Sequence, residues 1–354
     1  MLVSEDGRAA VMAEAEAEKQ AGAYVEKDGK RVYYTTVDAA GKANPDAEVV
    51  AYCVETNGGR FATIAAALES ADNVSISLLS DIREDVVIPE GKIVSLDLSG
   101  HKITSSNGHA ITNNGTLSIS DSSPAKTGVV DCVTKGKAAI SNNGIIEEIS
   151  GGTFERSAET DKAGIYGSYY LVENYGKIKT ISGGTFHSGD GEVEHLGAIG
   201  SLIRNGGGDD STKGEIESIT GGEYLNAANI IKNEPGSRIG SISGGIFTMD
   251  NTVNHWQGGN NVILNYGEID SLVGGEFRAF GSGAYNVPEE SAKYWRTGLF
   301  NGGTIGEVSG SFSMIMEGDN NRGIALTKDS VTNIVNGTFL VSDTASEPVR
   351  ASVL

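Results

Sequence analysis

The chain has 354 residues, with 49 glycines, only 6 prolines and a net charge of −20 from 27 basic and 47 acidic side chains. This charge leaves no basic stripe that could displace counterions from phosphates, so we expect no nucleic-acid partner, and it also disfavours anionic membrane surfaces. No apolar run reaches the roughly 18 residues of a membrane span, so no membrane insertion is expected, and abundant glycine without a G-X-Y period favours a repeat fold rich in tight turns.

Residues 1–59 are predicted to be an N-terminal tail or stalk. Within them, residues 9–20 are rich in Ala and Glu and are therefore prone to form a helix, which we expect to be a stalk or a frayed tail. The motif from Tyr34 to Ala40 reads aromatic, x, Thr, aliphatic, x, Ala, Ala, and the same pattern recurs from Phe61 to Ala67. The earlier motif is thus a candidate for a second, degenerate cap, with chance similarity as the alternative.

Residues 60–73 are predicted to form a capping helix. The segment from Phe61 to Glu69 is short and amphipathic, and it directly precedes a long series of predicted strands. A stack of strands exposes unpaired edges and core at its end, so a cap is needed there. The strands that follow are short runs that alternate or are wholly apolar, bounded by Gly, Pro or Asn, at residues 74–79, 85–88, 93–98 and 117–120.

A sequence repeat then determines the architecture. The tag Ile-Ser-Gly-Gly-Thr-Phe occurs at 149–154 and 181–186, with variants at 219–224, 242–247 and 272–277 and degenerate copies at 308–312 and 334–339. Each tag follows an apolar run that ends at Asn-x-Gly and continues as x-Ile-x-x-Ile, so one repeat reads as three short strands with two tight turns. The tag aromatics are spaced by 32, 38, 23, 30, 35 and 27 residues, and the longer spacings indicate inserts after the aromatic.

We therefore predict an all-β fold, a right-handed single-stranded parallel β-helix (a solenoid) with a short N-terminal capping helix. Each strand pairs with the equivalent strands of the neighbouring coils, about 4.8 Å away. The Ile, Leu and Phe positions should form inward ladders, and the turn Asn should bond to the Asn of the next coil. About ten coils are expected over residues 74–342, and residues 343–354 are expected to be a tail cut from a longer protein. A β-propeller fits less well, because it would need about 40 residues per blade.

No catalytic constellation is visible, so no catalytic residue, metal site or cofactor is predicted. Asp209 and Asp210 are adjacent in a Gly-rich insert, where a solvated turn is the simpler interpretation than half of an acid/base pair. The acidic segments 188–192 and 317–321 offer oxygen ligands for calcium, but they match no calcium-loop pattern.

The histidines and cysteines are equally uninformative about chemistry. The spacings of the five histidines fit no zinc motif, and surface histidine is the simpler interpretation. Cys53 and Cys132 are 79 residues apart, and two buried free thiols are the simpler interpretation, with a disulfide as the alternative.

Aromatic residues in the inserts are the candidates for a binding site. His255 and Trp256 lie in one insert, Tyr294 and Trp295 lie in another, and Tyr169 ends a third. Inserts that leave stacked coils at the same corner lie side by side, and exposed rings stack on sugar faces or anchor protein interfaces. The alternative is that these rings fold back as lids over the core.

The runs at residues 61–67, 76–82 and 94–103 add a family resemblance. Together with the later repeats, they resemble pectate-lyase-like β-helix domains, and in particular the repetitive, adhesin-like cell-surface proteins of gut Firmicutes. The resemblance covers roughly residues 60–340 and implies a β-helix that is secreted or displayed on a bacterial cell surface. Enzymes of this fold cluster Asp residues with an Arg or Lys base or with a His, and the sequence departs from both patterns.

Three classes of function follow. The first is a non-enzymatic extracellular binding or adhesive module that recognises glycans or host or microbial surface proteins through loops on one lateral face. The second is a carbohydrate-active enzyme, a polysaccharide lyase or glycoside hydrolase, whose acidic residues converge only in three dimensions. The third is a structural spacer or a phage-fibre segment. Several carboxylates in one groove would favour the enzyme, and a featureless surface would favour the spacer.

Overall fold

A computed structural model describes residues 1–156, 169–187, 199–207, 212–225, 227, 229–250, 261–280, 296–317 and 321–342. Three long, mainly parallel sheets of twelve, ten and nine strands run along the molecule and form the sides of a solenoid. The predicted all-β parallel β-helix is therefore confirmed, and the ten-stranded sheet gives one strand to each of ten coils in the described part of the chain.

The first 51 residues fold into a small unit instead of a tail. In chain order its elements are β1 (Leu2–Val3), β2 (Ala9–Ala10), α1 (Glu14–Gln20), β3 (Ala23–Lys27), β4 (Lys30–Tyr34), α2 (Val37–Ala43) and β5 (Val50–Ala51). The strands form a sheet in the order β2-β1-β4-β3-β5. Helix α1 buries Ala17, and its Glu14 carboxylate accepts a 3.0 Å hydrogen bond from the Tyr33 hydroxyl. The prediction of a stalk or frayed tail at residues 9–20 is therefore wrong, because α1 has a core to pack on.

A second unit closes the N-terminal end of the solenoid. It consists of β6 (Val54–Thr56), β7 (Gly59–Phe61), α3 (Ile64–Glu69) and β8 (Asn73–Leu78). Strand β6 pairs antiparallel with both β7 and β8, and β8 pairs parallel with the strand Ile93–Asp97 of the next coil. Helix α3 buries Ile64, Ala67 and Leu68 against the solenoid core, so the helix expected within residues 60–73 is present.

Each of the first nine coils contributes one strand to each of three sheets, and the described part of the tenth contributes to the first two sheets only. The first sheet contains β7, β6 and β8 and then Ile93–Asp97, Thr116–Ser120, Ile145–Ile149, Lys177–Ile181, Glu215–Ile219, Arg238–Ile242, Glu268–Leu272, Thr304–Val308 and Val331–Ile334. The second contains Ile82–Arg83, Lys102–Thr104, Val129–Asp131, Thr153–Glu155, Thr185–His187, Glu223–Leu225, Ile246–Asp250, Glu276–Phe280, Ser313–Glu317 and Thr338–Ser342. The third contains Val86–Ile88, Ile111–Asn113, Ile140–Asn142, Tyr169–Asn174, Ile199–Asn205, Asn229–Asn233, Asn261–Asn265, Arg296–Asn301 and Asn321–Leu326.

The x-Ile-x-x-Ile motif forms a bulged strand in the first sheet. In the coil before the repeat begins, the buried residues Leu117 and Ile119 are two positions apart, as in any regular strand. In the next coil Ile146 and Ile149 are three positions apart, yet they pair with Leu117 and Ile119 across a register shift. A β-bulge absorbs the extra residue. The following coils stack in register on the bulged strand, so both isoleucine ladders stay inward.

The tag aromatics form an inward ladder on the second sheet. Phe186 stacks on Phe154 with ring centroids 4.9 Å apart, and on Tyr224 at 4.8 Å. The predicted ladder of Phe side chains is thus confirmed. The degenerate tag at 308–312 changes its geometry, because Met314 takes the backbone position opposite Phe277. The Phe312 ring still contacts the Phe277 ring at 5.1 Å, but it is tilted by 36°.

The Asn of each Asn-x-Gly turn forms a second, polar ladder. Asn142 accepts a 2.7 Å hydrogen bond from the Asn113 side chain and donates one of 2.7 Å to Asn174. The same bond repeats through the following coils as far as Asn301. Gly144 in the turn is required by space, because a Cβ there would lie 2.2 Å from the carbonyl oxygen of Gly115 in the preceding coil. The predicted Asn-to-Asn bond between coils is confirmed.

Candidate binding face

The inserts predicted after the tag aromatics are all flanked by strands at the same corner of the solenoid. Each follows a strand of the second sheet and precedes a strand of the third sheet, and these flanking strands stack on one another from coil to coil. His255, Trp256, Tyr294 and Trp295 lie outside the described residues. Tyr169 is described only as the first residue of the strand Tyr169–Asn174. The third sheet begins directly after each of these segments in the chain, and its outward side is described in every coil from Tyr169–Asn174 to Arg296–Asn301.

The outward side of the third sheet carries one continuous column of large side chains. The residue just before each ladder Asn points outward and pairs with its equivalent in the next coil. The residue just after the ladder Asn lies at the edge of the same surface. We call this surface the lateral face and define it by Glu173, Tyr175, Arg204, Lys232, Glu234, Leu264, Tyr266 and Phe300.

The polar half of the lateral face comprises Glu173, Tyr175, Arg204, Lys232 and Glu234. Arg204 holds this half together. Its Nε donates to Glu234 Oε1 at 2.8 Å, and its guanidinium carbon lies 4.5 Å from the centroid of the Tyr170 ring. Lys232 Nζ lies 2.8 Å from the same Glu234 oxygen, and the Glu234 side chain is only 5% exposed. Two cations therefore share one buried carboxylate, and burial strengthens these bonds relative to exposed ion pairs.

Glu173 lies in a different environment from Glu234. Burial raises the pKa of the Glu173 carboxyl, and the nearby Arg204 and Tyr175 offset this effect only in part. Burial and the neighbouring Glu173 raise the pKa of Tyr175 to about 12, so its hydroxyl remains protonated at neutral pH. The polar half thus contains one carboxylate held by two cations and one carboxyl with a raised pKa.

The other half of the lateral face is apolar and aromatic. Leu264 is nearly buried and Tyr266 is 41% exposed. The rings of Tyr266 and Phe300 meet edge to face with centroids 5.7 Å apart, which fixes the exposed tyrosine in place. Tyr175 and Tyr266 both follow a ladder Asn and are three coils apart, a distance of about 14 Å at the spacing of β-strands. The face therefore presents polar and aromatic groups along the solenoid axis.

The outward side of the second sheet has a smaller polar cluster. Lys102 Nζ lies 2.7 Å from Asp131 and 3.0 Å from Glu155. His187 Nε2 lies 3.4 Å from the other Glu155 oxygen. Lys102 occupies the position between the two carboxylates and pairs with both.

The first sheet carries ion pairs between neighbouring coils. Lys179 pairs with Glu147 at 2.7 Å, and Lys177 and Arg238 pair with Glu215 from either side at 3.4 and 3.3 Å. These side chains point outward from neighbouring strands, so the pairs link consecutive coils.

The remaining sequence candidates do not assemble into a site. Asp209 and Asp210 lie outside the described residues, as do residues 188–192 and 318–320 of the two acidic segments. Within the described ranges, no three His, Cys, Asp or Glu side chains come together as a metal would require. Cys53 and Cys132 are both free thiols, which confirms that part of the simpler interpretation, but of the two thiols expected to be buried only Cys132 is.

Among the histidines of the described residues, His109 has a clearly structural environment. Its Nδ1 accepts a 2.9 Å hydrogen bond from the Ala138 amide, and burial lowers its pKa to about 4. The imidazole is therefore neutral at pH 7 and serves as a hydrogen-bond acceptor inside the fold.

Sequence reasoning missed the residues of the lateral face. It selected aromatic residues in the inserts, whereas the column lies within the repeat itself. The signal was available, because aligning the repeats on the ladder Asn reads off the preceding residue of each coil as Glu173, Arg204, Lys232, Leu264 and Phe300. These aligned residues form one surface only because the coils stack on one another.

Comparison with protein-family models, with curated proteins and with solved structures gives no match. None of the helices in the described part of the chain is long and apolar enough to cross a membrane.

Proposed function

We propose that this protein is an extracellular binding module, secreted or displayed on a bacterial cell surface, whose lateral face holds an extended glycan parallel to the solenoid axis. The observation that carries the proposal is the column of polar and aromatic side chains on consecutive coils. A linear polymer presents the same groups at regular intervals, and a stack of coils offers a matching row of contacts. Surface proteins of a host or of other microbes are the alternative ligand class.

The chemistry of the face supports a sugar ligand. The exposed ring of Tyr266 is a flat apolar surface with a polar tip, of the kind that packs on a sugar ring. The Lys232 ammonium group has three donors and supplies hydrogen bonds at the edge of the same face. The rigid scaffold keeps these groups in place before binding, which lowers the entropy cost of association.

A glycan array probed with the full chain, followed by titration of the best oligosaccharide, tests this proposal. Changing Tyr266→Ala or Lys232→Ala should weaken binding by about 1–3 kcal/mol if these side chains are anchors. Lys179→Ala on the first sheet is the matched control and should leave affinity unchanged. Thermal melting of each variant separates lost contacts from lost folding.

The inserts are tested in the same titration. Trp256→Ala combined with Trp295→Ala should also weaken capture with little change in melting temperature, because we propose that the inserts border the lateral face. Full affinity in this double variant and in Tyr266→Ala would contradict the proposed face. Capture of mucus proteins after enzymatic removal of their glycans would favour the protein ligand, and failure to bind either would favour the spacer.

A carbohydrate-active enzyme is the second candidate, and one observation favours it. Glu173 and Glu234 lie on either side of Arg204 in different environments, which is what separates the acid from the base in glycoside hydrolysis. We expect no turnover. Release of new reducing or unsaturated ends from pectins, mucins or plant polysaccharides, abolished by Glu173→Gln, would replace the binding module with the enzyme.

A further inference from the structure

The N-terminal unit and the cap of the solenoid have the same fold. In both, a hairpin leads into a short helix, and a strand then returns beside the first strand of the hairpin. Strand β3 pairs antiparallel with β4 and β5, just as β6 pairs antiparallel with β7 and β8. We call residues 23–51 copy one and residues 54–78 copy two.

The two copies correspond residue by residue after the hairpin turn. Three landmarks of copy one recur 27 residues later in copy two: the last aromatic of the hairpin, the helix N-cap and the strand residue opposite the start of the hairpin. They are Tyr34 and Phe61, Thr36 and Thr63, and Ala51 and Leu78. Constant separation from the end of the hairpin through the helix to the returning strand favours a duplicated unit over chance similarity of the short motif.

The helix N-caps of the two copies are nearly superimposable. Thr36 has φ −137° and ψ 158°, and Thr63 has φ −138° and ψ 156°. Each threonine side chain accepts a 3.1 Å hydrogen bond from the amide three residues later. This is the usual way in which a threonine satisfies an orphan N–H at a helix start.

The copies differ in what covers the returning strand. In copy two, β8 has six residues and pairs with β6 along one edge. Its other edge is paired over five residues with the parallel strand Ile93–Asp97. The inward residues Val74, Ile76 and Leu78 are then at most 2% exposed. Pairing on both edges thus completes the core of copy two.

In copy one the equivalent strand is unpaired on that edge. Strand β5 has two residues and pairs with β3 alone among the described residues. The positions equivalent to Val74, Ile76 and Leu78 are Ala47, Val49 and Ala51, and all three are only partly buried, with Ala47 and Val49 packed against the core of copy one. Copy one therefore combines an open sheet edge with apolar residues that are less completely covered than their equivalents in copy two.

We propose that residues 46–51 form a docking edge for an extended segment of another protein, which adds to β5 as a parallel strand. The occupant should carry apolar residues at alternate positions, because Val94 and Leu96 of the strand Ile93–Asp97 are the residues that complete copy two. Main-chain hydrogen bonds would supply affinity and the alternate apolar side chains specificity. This edge is separate from the lateral face, and neither proposal depends on the other.

A peptide of residues 91–99 serves as the probe, because this sequence covers the same edge in copy two. Titrated against the full chain, the labelled peptide should bind saturably, and amide exchange at residues 46–51 should slow. A peptide carrying Val94→Asp and Leu96→Asp should bind at least tenfold more weakly, because charges would enter an apolar core.

Two variants of the protein refine the test. Val49→Asp should reduce peptide binding at least tenfold, whereas Glu48→Ala, at the exposed neighbouring position, should leave it unchanged. If Val49→Asp unfolds copy one, exchange mapping on the unmodified chain still decides the question. No saturable binding, or slowed exchange only at the last strand of the first sheet, Val331–Ile334, would overturn the proposal.

Discussion

At the scale of single residues, the Asn ladder shows how a buried polar column can be fully satisfied. The Asn142 Nδ2 group donates to the Asn174 side chain and to the Lys177 carbonyl, while its Oδ1 accepts from Asn113. Every amide in the column is oriented the same way, so the bonds polarise one another. At the far end, Asn301 donates to Thr332 Oγ1 instead. A break anywhere leaves buried groups without partners on both sides.

We predict that Asn142→Ala destabilises the protein while Asn143→Ala does not. Removing Asn142 leaves the Asn113 donor and the Asn174 acceptor unsatisfied, at about 1–3 kcal/mol for each buried group. Asn143 is the neighbour in the same turn, but its side chain bonds only to the exposed side chain of Asn114, so its loss should cost under about 0.5 kcal/mol. Urea denaturation of both variants measures the difference. Equal losses would mean that turn propensity, and not the ladder, is responsible.

In the first coils, aspartate carboxylates accept hydrogen bonds from the backbone amides of turns. Asp121 accepts hydrogen bonds from the amides of Gly128 at 2.7 Å and Gly100 at 2.9 Å, and it is 3% exposed. Burial opposes its ionisation, but these donors outweigh it and lower the pKa below its ordinary value of 3.8. Asp85 and Asp97 have lowered pKa values for the same reason. Each carboxylate closes a turn that carries no Asn-x-Gly motif.

The lowered pKa values predict that acid weakens the first coils. A group whose pKa is lower in the folded state than in the unfolded state stabilises the fold above its unfolded pKa and loses that contribution as the pH falls through the folded value, here progressively below about pH 5. Asp121→Asn should cost about 1–3 kcal/mol at pH 7, since an amide cannot accept at both positions, and should flatten the acid dependence. Denaturation from pH 7 to 2 tests both, with the exposed Asp329→Asn as a control. An unchanged slope in Asp121→Asn would contradict the assignment.

At the scale of elements, the capping helix α3 depends on a residue from the coil that it covers. A helix of six residues is not stable in isolation. The Glu84 carboxylate accepts hydrogen bonds from the amides of Ile64 at 2.9 Å and Ala65 at 2.8 Å, so it satisfies donors that Thr63 leaves open. The first coil thereby fixes the orientation of its own cap.

We predict that Glu84→Gln loosens the cap. The substitution removes the negative charge at the helix start and one of the two acceptors, which should cost about 1 kcal/mol. Amide exchange over residues 64–69 should accelerate more than exchange in the later coils. Glu90→Gln, an exposed position nearby, is the matched control. Equal acceleration in both variants would show that α3 is held by its apolar contacts alone.

The elements also show why some of the architecture could be predicted from sequence and some could not. The ladders could be predicted because each coil repeats the same apolar, Asn and Gly positions. In a stack of coils, equivalent positions must lie on top of one another. The N-terminal sheet was missed because β1, β2 and β5 have two residues each, too few for any alternation to register. The motif at Tyr34–Ala40 did carry the signal, but only the pairing of β5 with β3 identifies it as a copied unit. The lateral face required the stack itself, since Arg204 and Glu234 are 30 residues apart in sequence.

At the scale of the whole molecule, the protein is nearly one-dimensional. Each coil contacts the coil before it and the coil after it, through the three sheets and through the aromatic and Asn ladders. The net charge of −20 should push such a rod apart at low salt, and the ion pairs on the first sheet oppose this between neighbours. Stability should therefore be close to a sum of terms for single coils and for adjacent pairs.

The aromatic ladder allows this additivity to be measured. Phe186→Ala and Tyr224→Ala each remove a fully buried ring and should cost about 3–5 kcal/mol. The two rings stack at 4.8 Å, so the double variant should deviate from additivity by about 0.5–3 kcal/mol. Phe154→Ala and Phe277→Ala remove equivalent rings four coils apart, about 19 Å at the strand spacing, and should add to within about 0.5 kcal/mol. Amide exchange resolved by coil is the appropriate measurement, because long repeats need not unfold in one step. Coupling as large for the distant pair as for the adjacent pair would mean that the solenoid behaves as one cooperative body, and a nearest-neighbour description of its stability would then be wrong.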